Sequence, residues 1–139
     1  SFVRCDLSNA DLHGCSMTRV LFEDCRLTGA DFGEAALSDA LFTGCACGYA
    51  QFSRAQLRDT RFERCDCAGA AFHELRWRAL TFEVCSLMAA ELFKTPLEGM
   101  DLTTCQIDGL IVDPPSLRGA VVTAVQACGL AKLLGLIIR

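Results

Sequence analysis

Cysteine is the residue with the widest chemical reach in this chain, with ten in 139 residues. In a small secreted protein that density reads as a disulfide framework. The spacing argues otherwise, because Cys5, Cys15, Cys25, Cys45, Cys65, Cys85 and Cys105 all fall on multiples of five. A regular series is a packing pattern, and free cysteine packs as a small apolar residue. Stacked at strand spacing, neighbours in the series come within Cα range of a disulfide, but parallel side chains point the same way and are poorly aimed for a bond. Cys45/Cys47 and Cys65/Cys67 form Cys-X-Cys pairs, whereas zinc needs converging ligands and usually Cys-X-X-Cys spacing. No metal or cofactor is expected. His13 and His73 occupy equivalent outward positions three turns of the repeat apart, about 14 Å by strand spacing, so they cannot form a catalytic pair. No carboxylate pair, nucleophile–base arrangement or phosphate-cradling glycine loop is apparent. The chain is read as a non-enzyme.

The elements that hold these residues follow from the same period. Every fifth residue from Phe2 to Val122 is apolar, 25 positions without exception; at a hydrophobic fraction of 52% chance gives this about once in 10⁷ trials. Two residues before each centre the side chain is small: 15 of the 21 positions from Cys5 to Cys105 are Ala or Cys. Two residues after it Gly recurs, as at Gly14, Gly29, Gly44 and Gly69, and Asp often precedes it, as at Asp6, Asp11, Asp31, Asp66 and Asp101. A period of five fits neither an α-helix nor a strand. It fits a chain that turns a corner every five residues, with one large and one small residue inward and Gly and Asp at the turns.

A second period fixes the coil. Phe2, Phe22, Phe42, Phe62 and Phe82 recur every 20 residues, as do Cys5, Cys25, Cys45, Cys65, Cys85 and Cys105 and the alanines Ala10, Ala30, Ala50, Ala70 and Ala90. Each set predicts a ladder on one inner wall. The segments ADLHG, GADF, CRLTGADF, CDCAGAAF and MDLTTC resemble the A(D/N)LxX pattern of the pentapeptide-repeat family, and the resemblance runs over residues 1–122. It implies an all-β solenoid: a right-handed quadrilateral parallel β-helix of about six 20-residue coils, roughly 30 Å tall at strand spacing. Leu75, Leu80 and Met100 replace the small residue and Trp77 takes a centre, so the wall is expected to bulge or widen around HELRWRAL. Pro114–Pro115 is expected to interrupt the last coil without shifting register.

The repeat ends at Val122, and residues 123–139 form a second unit. Thr123 and Gln126 stand at capping-box spacing and Gly135 suits the residue just past a helix end. These predict a capping α-helix over about 124–134, since an open solenoid end must be covered. The helix is apolar nearly all round, so one face can seal the last coil while the other needs a partner. Val125, Cys128, Leu130, Leu133, Leu134, Leu136, Ile137 and Ile138 are the expected interface of a homodimer. The apolar stretch Gly119 to Ala131 is too short to span a bilayer. The chain opens at Ser1 without a signal-like run, and is read as a fragment or ordered part of a longer chain, placed in the cytoplasm.

Charge gives the outer surface. The net charge is −4. Residues 1–49 carry seven acids and three bases, and residues 81–112 five acids and one base. Between them, Arg54, Arg58, Arg61, Arg64, Arg76 and Arg78 interleave with Asp59, Glu63, Asp66 and Glu74, which reads as a solvated wall of mixed sign. There is no polybasic patch for nucleic acid. Within the family, the last coil, the short helix and the ending LGLIIR resemble the Qnr-like topoisomerase-protection proteins. That resemblance implies a dimeric rod that mimics duplex DNA, binds DNA gyrase or topoisomerase IV and relieves inhibition by quinolones. Its contact residues would be the outward acids Asp6, Asp11, Glu23, Asp24, Asp31, Glu34, Glu83, Glu91, Glu98, Asp101 and Asp108. The alternative is a structural or protein-interaction scaffold. A continuous acidic face favours mimicry; scattered charge favours the scaffold.

Overall fold

A residue in the left-handed backbone region bends a chain sharply, and one stands at every fifth position from Arg4 to Gly99. A computed structural model, describing residues 1–139, shows the result to be a parallel β-solenoid with a short C-terminal helix. Five strands, β1 (Phe2–Val3), β2 (Ser16–Glu23), β3 (Ala36–Thr43), β4 (Gln56–Glu63) and β5 (Arg76–Glu83), stack in chain order and span about four turns. All pairs are parallel, and the register matches Phe2 with Phe22, Phe22 with Phe42, Phe42 with Phe62 and Phe62 with Phe82. Isolated bridges continue the pairing down to Asp101 with Val121.

The two inward rows are the core. Phe22, Phe32, Phe42, Phe52, Phe62 and Phe72 are wholly buried. The expected phenylalanine ladder stacks at 4.5–5.0 Å between ring centroids, close to the spacing of adjacent strands. A second ladder, Phe32, Phe52 and Phe72, stacks at 4.9 and 5.1 Å. The two meet edge-to-face at 5.4–6.1 Å, the arrangement the ring quadrupoles favour. Beside them, the thiols of Cys25, Cys45, Cys65, Cys85 and Cys105 donate to the carbonyls of Phe2, Phe22, Phe42, Phe62 and Phe82 at 3.2–3.4 Å. A carbonyl oxygen can accept twice, so Cys adds a weak donor where Ala would add none. None of the ten cysteines is in a disulfide.

The wall does not bulge at HELRWRAL. Strands β4 and β5 stay in register from Gln56–Arg76 to Glu63–Glu83, and Leu75 and Leu80 are buried. The break comes one turn later. Ala36, Gln56 and Arg76 each donate their N–H to the turn before, to Cys15, Ala35 and Ala55. Pro96 has no N–H to give, so the next strand cannot form. Local bonds replace the ladder there: Leu75 N donates to Thr95 Oγ1 (3.0 Å) and Trp77 Nε1 to the Pro96 carbonyl (2.8 Å). Pro114–Leu117 forms a 3₁₀ turn. Leu97 N still reaches Ser116 O, and Leu102 N reaches Val121 O, so register survives the prolines.

At the C-terminal end, α1 (Ala124–Ala131) continues as a 3₁₀ turn over Lys132–Leu134 and stops at Gly135, φ 73°. The capping box is made in full, Gln126 N to Thr123 Oγ1 and Thr123 N to Gln126 Oε1. No helix is long and apolar enough to cross a membrane.

Three substitutions test this account. Phe62 lies between two stacked rings and two edge-on rings, so Phe62→Ala is expected to cost about 3–5 kcal/mol, with Phe2→Ala, half-buried in the first coil, costing less; urea unfolding measures both. Val84 is β-branched, exposed and held at φ 53°, where an L side chain costs about 1–2 kcal/mol. Val84→Gly should therefore raise stability by about 1 kcal/mol; an unchanged or lower denaturation midpoint would contradict the strain argument.

Candidate interaction surface

The aspartates before the centres are turn residues first. Asp6, Asp11, Asp31, Asp66 and Asp101 each accept, through Oδ1, the backbone N–H two residues on, at 2.8–3.1 Å. This side-chain-to-backbone bond closes the corner. Donation from Ser8 and Thr103, side chain and backbone together, holds Asp6 and Asp101 below the usual carboxylate range. The Lys94 amide (2.8 Å) and the Ser116 hydroxyl (2.9 Å) do the same for Asp113.

Other candidate acids are engaged sideways. Glu34 binds His13 Nε2 at 3.0 Å and Arg54 Nε at 3.3 Å, and Asp31 lies 3.7 Å from His13 Nδ1. Glu91 meets His73 Nε2 at 2.9 Å, while His73 Nδ1 accepts from the Phe93 amide at 3.2 Å. Those two bonds assign the His73 proton to Nε2 and leave neither nitrogen free to act as a base. Arg61 pairs with Glu63 and, at 3.7 Å, with Glu83. Glu23, Asp24, Glu98 and Asp108 enter no ion pair. The eleven acids therefore do not converge. Asp11 and Asp31 stand side by side on one column that runs on through Gln51 and Ala71 to Glu91, and Glu23 and Glu83 share another. The remaining six stand on columns of their own, where register sets bases or neutral residues beside them, as Arg26 beside Asp6.

The arginine belt divides once it is folded. Arg54 and Arg61 are paired, and Arg64 Nη2 donates to Thr43 Oγ1 at 3.4 Å. Arg58, Arg76 and Arg78 meet no carboxylate. Alternation of charge along the chain hid this, because neighbours in space are a full turn apart in sequence.

The cysteines offer no exposed thiolate inside the rod. Burial pushes the Cys15 and Cys25 thiols up. The neighbouring Cys65 thiol draws Cys45 down to about 7, and the Cys45 and Cys47 thiols push Cys65 up, yet Cys45 and Cys65 are each only 2% exposed.

The C-terminal end carries six of the thirteen exposed large apolar side chains. Val125 (83%), Ile137 (82%), Leu134 (60%), Leu136 and Ile138 are exposed, with Leu133 and Cys128. Leu130 differs: it is half-buried and packs on the solenoid core. The residue that fastens the helix is polar. Gln126 Nε2 donates to the carbonyls of Leu102 (2.8 Å) and Cys105 (2.9 Å), which the helix-capping signal in the sequence did not reveal. Cys105, Ile107 and Leu110 border a cleft with Val125, Leu130 and Leu133.

The family described as "pentapeptide repeat region" matches residues 1–72. No curated protein sequence matches the chain. Among solved structures, it is similar to a pentapeptide repeat protein, Rfr23, from the cyanobacterium Cyanothece 51142, at 15% identity and TM-score 0.47, over 85% of this chain and 91% of that one. It is also similar to full-length QnrB1, a plasmid-mediated fluoroquinolone resistance protein, at 21% identity and TM-score 0.41, over 97% and 87%. HetL, a pentapeptide repeat protein involved in heterocyst differentiation regulation in Nostoc sp. strain PCC 7120, gives 21% identity and TM-score 0.38, over 85% and 62%.

The lowered carboxylates set a pH expectation. Their folded values lie below the ordinary 3.8, so their stabilisation is present above that pH and is lost as pH falls through the folded values. Asp101→Asn keeps an acceptor for the Thr103 amide but removes the titration. Its urea midpoint should drop less between pH 5 and pH 3 than that of the parent; an equal drop would remove Asp101 from the acid response.

Proposed function

Because the chain belongs to the pentapeptide-repeat family, we propose that it is a non-enzymatic binding protein whose outer wall and C-terminal end meet protein partners. One observation carries this. Apart from the half-buried Trp77, the inward rows are buried from Phe22 to Leu102 and no buried side-chain nitrogen or oxygen lacks a partner, so chemistry and recognition fall to the outside. We further propose that the rod is a right-handed, four-walled coil of about six turns over residues 1–122. The recurring bridges at Asp6, Asp11 and Ser16 and the Phe22 pairing, four contacts per 20-residue offset, support this. Residues 123–139 form a separate cap in this reading.

The exposed apolar residues Val125, Cys128, Leu133, Leu134, Leu136, Ile137 and Ile138 support a homodimer through the cap, with Leu130 holding the cap to its own rod. Val125→Asp together with Ile137→Asp should convert a species of twice 15.1 kDa into a monomer in light scattering after size exclusion; a monomeric parent would overturn the dimer.

A narrower reading is a DNA mimic that binds gyrase or topoisomerase IV and protects it from quinolones in the cytoplasm. The unpaired carboxylates Glu23, Asp24, Glu98 and Asp108 favour it, since they are free to stand where DNA presents phosphates. The scattering of the other acids among arginines puts the general interaction reading first. Gyrase supercoiling with ciprofloxacin separates the two. Restored supercoiling with less cleaved DNA supports protection, and neutralising those four acids should then raise the protein concentration needed about tenfold or more, the effect of losing about 1.4 kcal/mol. No rescue and no inhibition of the drug-free enzyme would remove the topoisomerase reading and leave the interaction module.

A further inference from the structure

We propose that the groove between Arg58, Arg76 and Arg78 on β4 and β5 binds a small phosphate-class oxyanion, pyrophosphate or a phosphate ester. Gln56, Trp77 and the three arginines line a half-open hollow of about 240 Å³. Register sets Arg58 directly against Arg78 and Gln56 against Arg76. The first two Cα atoms are thus about 4.8 Å apart, and Arg76 and Arg78, alternate residues of one strand, about 6.6 Å. Like charges directly opposite each other on neighbouring strands destabilise a sheet. None of the three is relieved by an ion pair or a side-chain hydrogen bond. Glu98 takes the next position of the Arg58–Arg78 column and Asp59 follows Arg58 in the chain, yet neither pairs with them. Of the rest of the belt, Arg54 and Arg61 are neutralised by Glu34, Glu63 and Glu83 and Arg64 donates to Thr43 Oγ1, so the three belt arginines without a side-chain partner gather at this hollow.

The chemistry of the ligand follows from the number of forks. A guanidinium offers parallel N–H donors that match two oxygens of a carboxylate or phosphate. One carboxylate, with one charge and two oxygens, satisfies one fork. Three forks on this spacing call for several terminal oxygens and more than one negative charge, which pyrophosphate or a phosphate monoester supplies. The hollow is smaller than the usual 300 Å³ or more of an organic-ligand pocket, in keeping with an oxyanion as the recognised group. Trp77, fixed by its indole bond to the Pro96 carbonyl, gives the floor an aromatic surface. This inference does not depend on which protein the rod binds.

Trp77 is the single tryptophan of these 139 residues, so its fluorescence reports occupancy in the intact solenoid with its cap. Titration with sodium pyrophosphate at constant ionic strength should saturate at one ligand per chain. Arg58→Gln and Arg78→Gln should each weaken binding about tenfold or more, as expected for a lost charge-assisted bond. Arg64→Gln, an equal charge change outside the groove, should leave binding within about twofold. Each groove variant should also melt higher than the parent without ligand, because a repulsion is removed, and lose the ligand-induced rise in melting temperature. ADP binding as tightly as pyrophosphate would locate recognition in the phosphates alone; tighter ADP binding would add stacking on Trp77. No saturation at millimolar pyrophosphate, or equal weakening by Arg64→Gln, would overturn the site.

Discussion

The constraint on which everything else depends is the constancy of the cross-section. A parallel coil that repeats every turn places each residue on the residue one turn away, so the interior accepts only side chains that stack on copies of themselves. The ring spacings of 4.5–5.1 Å are the strand spacing of the backbone transferred to phenylalanine. Stacking alone is not the geometry aromatic rings prefer, and the edge-on contacts between the two ladders supply that preference. The backbone sets the distance, and the pairing of two ladders makes the distance favourable.

Such tight coiling carries a local strain at every corner. Left-handed φ falls on Arg4, Asp24, Glu34, Tyr49, Val84 and others, not only on glycine. Each L residue there costs about 1–2 kcal/mol, tolerable because the corners are tied to the next turn, by N–H to carbonyl bonds as at Asp24 and Glu34 or to a side-chain oxygen as at Val84 and Lys94. The aspartate caps serve the same end. They are consequently poor evidence for a docking face, since the carboxylates at Asp6, Asp11, Asp31 and Asp101 are occupied by the turns they close. Function has to draw on what the corners leave over: acids outside any ion pair such as Glu23, Asp24, Glu98 and Asp108, the bare arginines Arg58, Arg76 and Arg78, and the apolar cap.

The repeat proteins share one further property with this chain, that each turn contacts only its neighbours. Interruptions are therefore local. Pro96 ends the long strand wall without disturbing β4 and β5, and Pro114–Pro115 is absorbed within a single 3₁₀ turn. The end turns have a neighbour on one side only, which is why Phe2, Leu7 and Leu12 are half-buried where Phe22, Leu27 and Phe32 are buried. At the other end Gln126 substitutes for the missing turn by covering two carbonyls.

The sequence by itself determined the coil: a period of five for the inward rows, a period of 20 for the ladders, and Thr123, Gln126 and Gly135 for the limits of the cap. These are legible because a constant cross-section forces identical residues into register, and register is written as spacing. It did not determine how the outer residues pair. The wall at HELRWRAL kept its line, and the long strands stopped a turn later at Pro96; the cysteine ladder proved to be a set of donors to phenylalanine carbonyls; and a belt that alternates in sign along the chain separated into two ion-paired arginines, one held by a threonine hydroxyl and three bare ones. Those outcomes depend on contacts between residues a full turn apart, on side-chain reach and on rotamer, for which a linear chain carries no repeating signal. Only the folded solenoid brings Arg58 beside Arg78 and His73 beside Glu91.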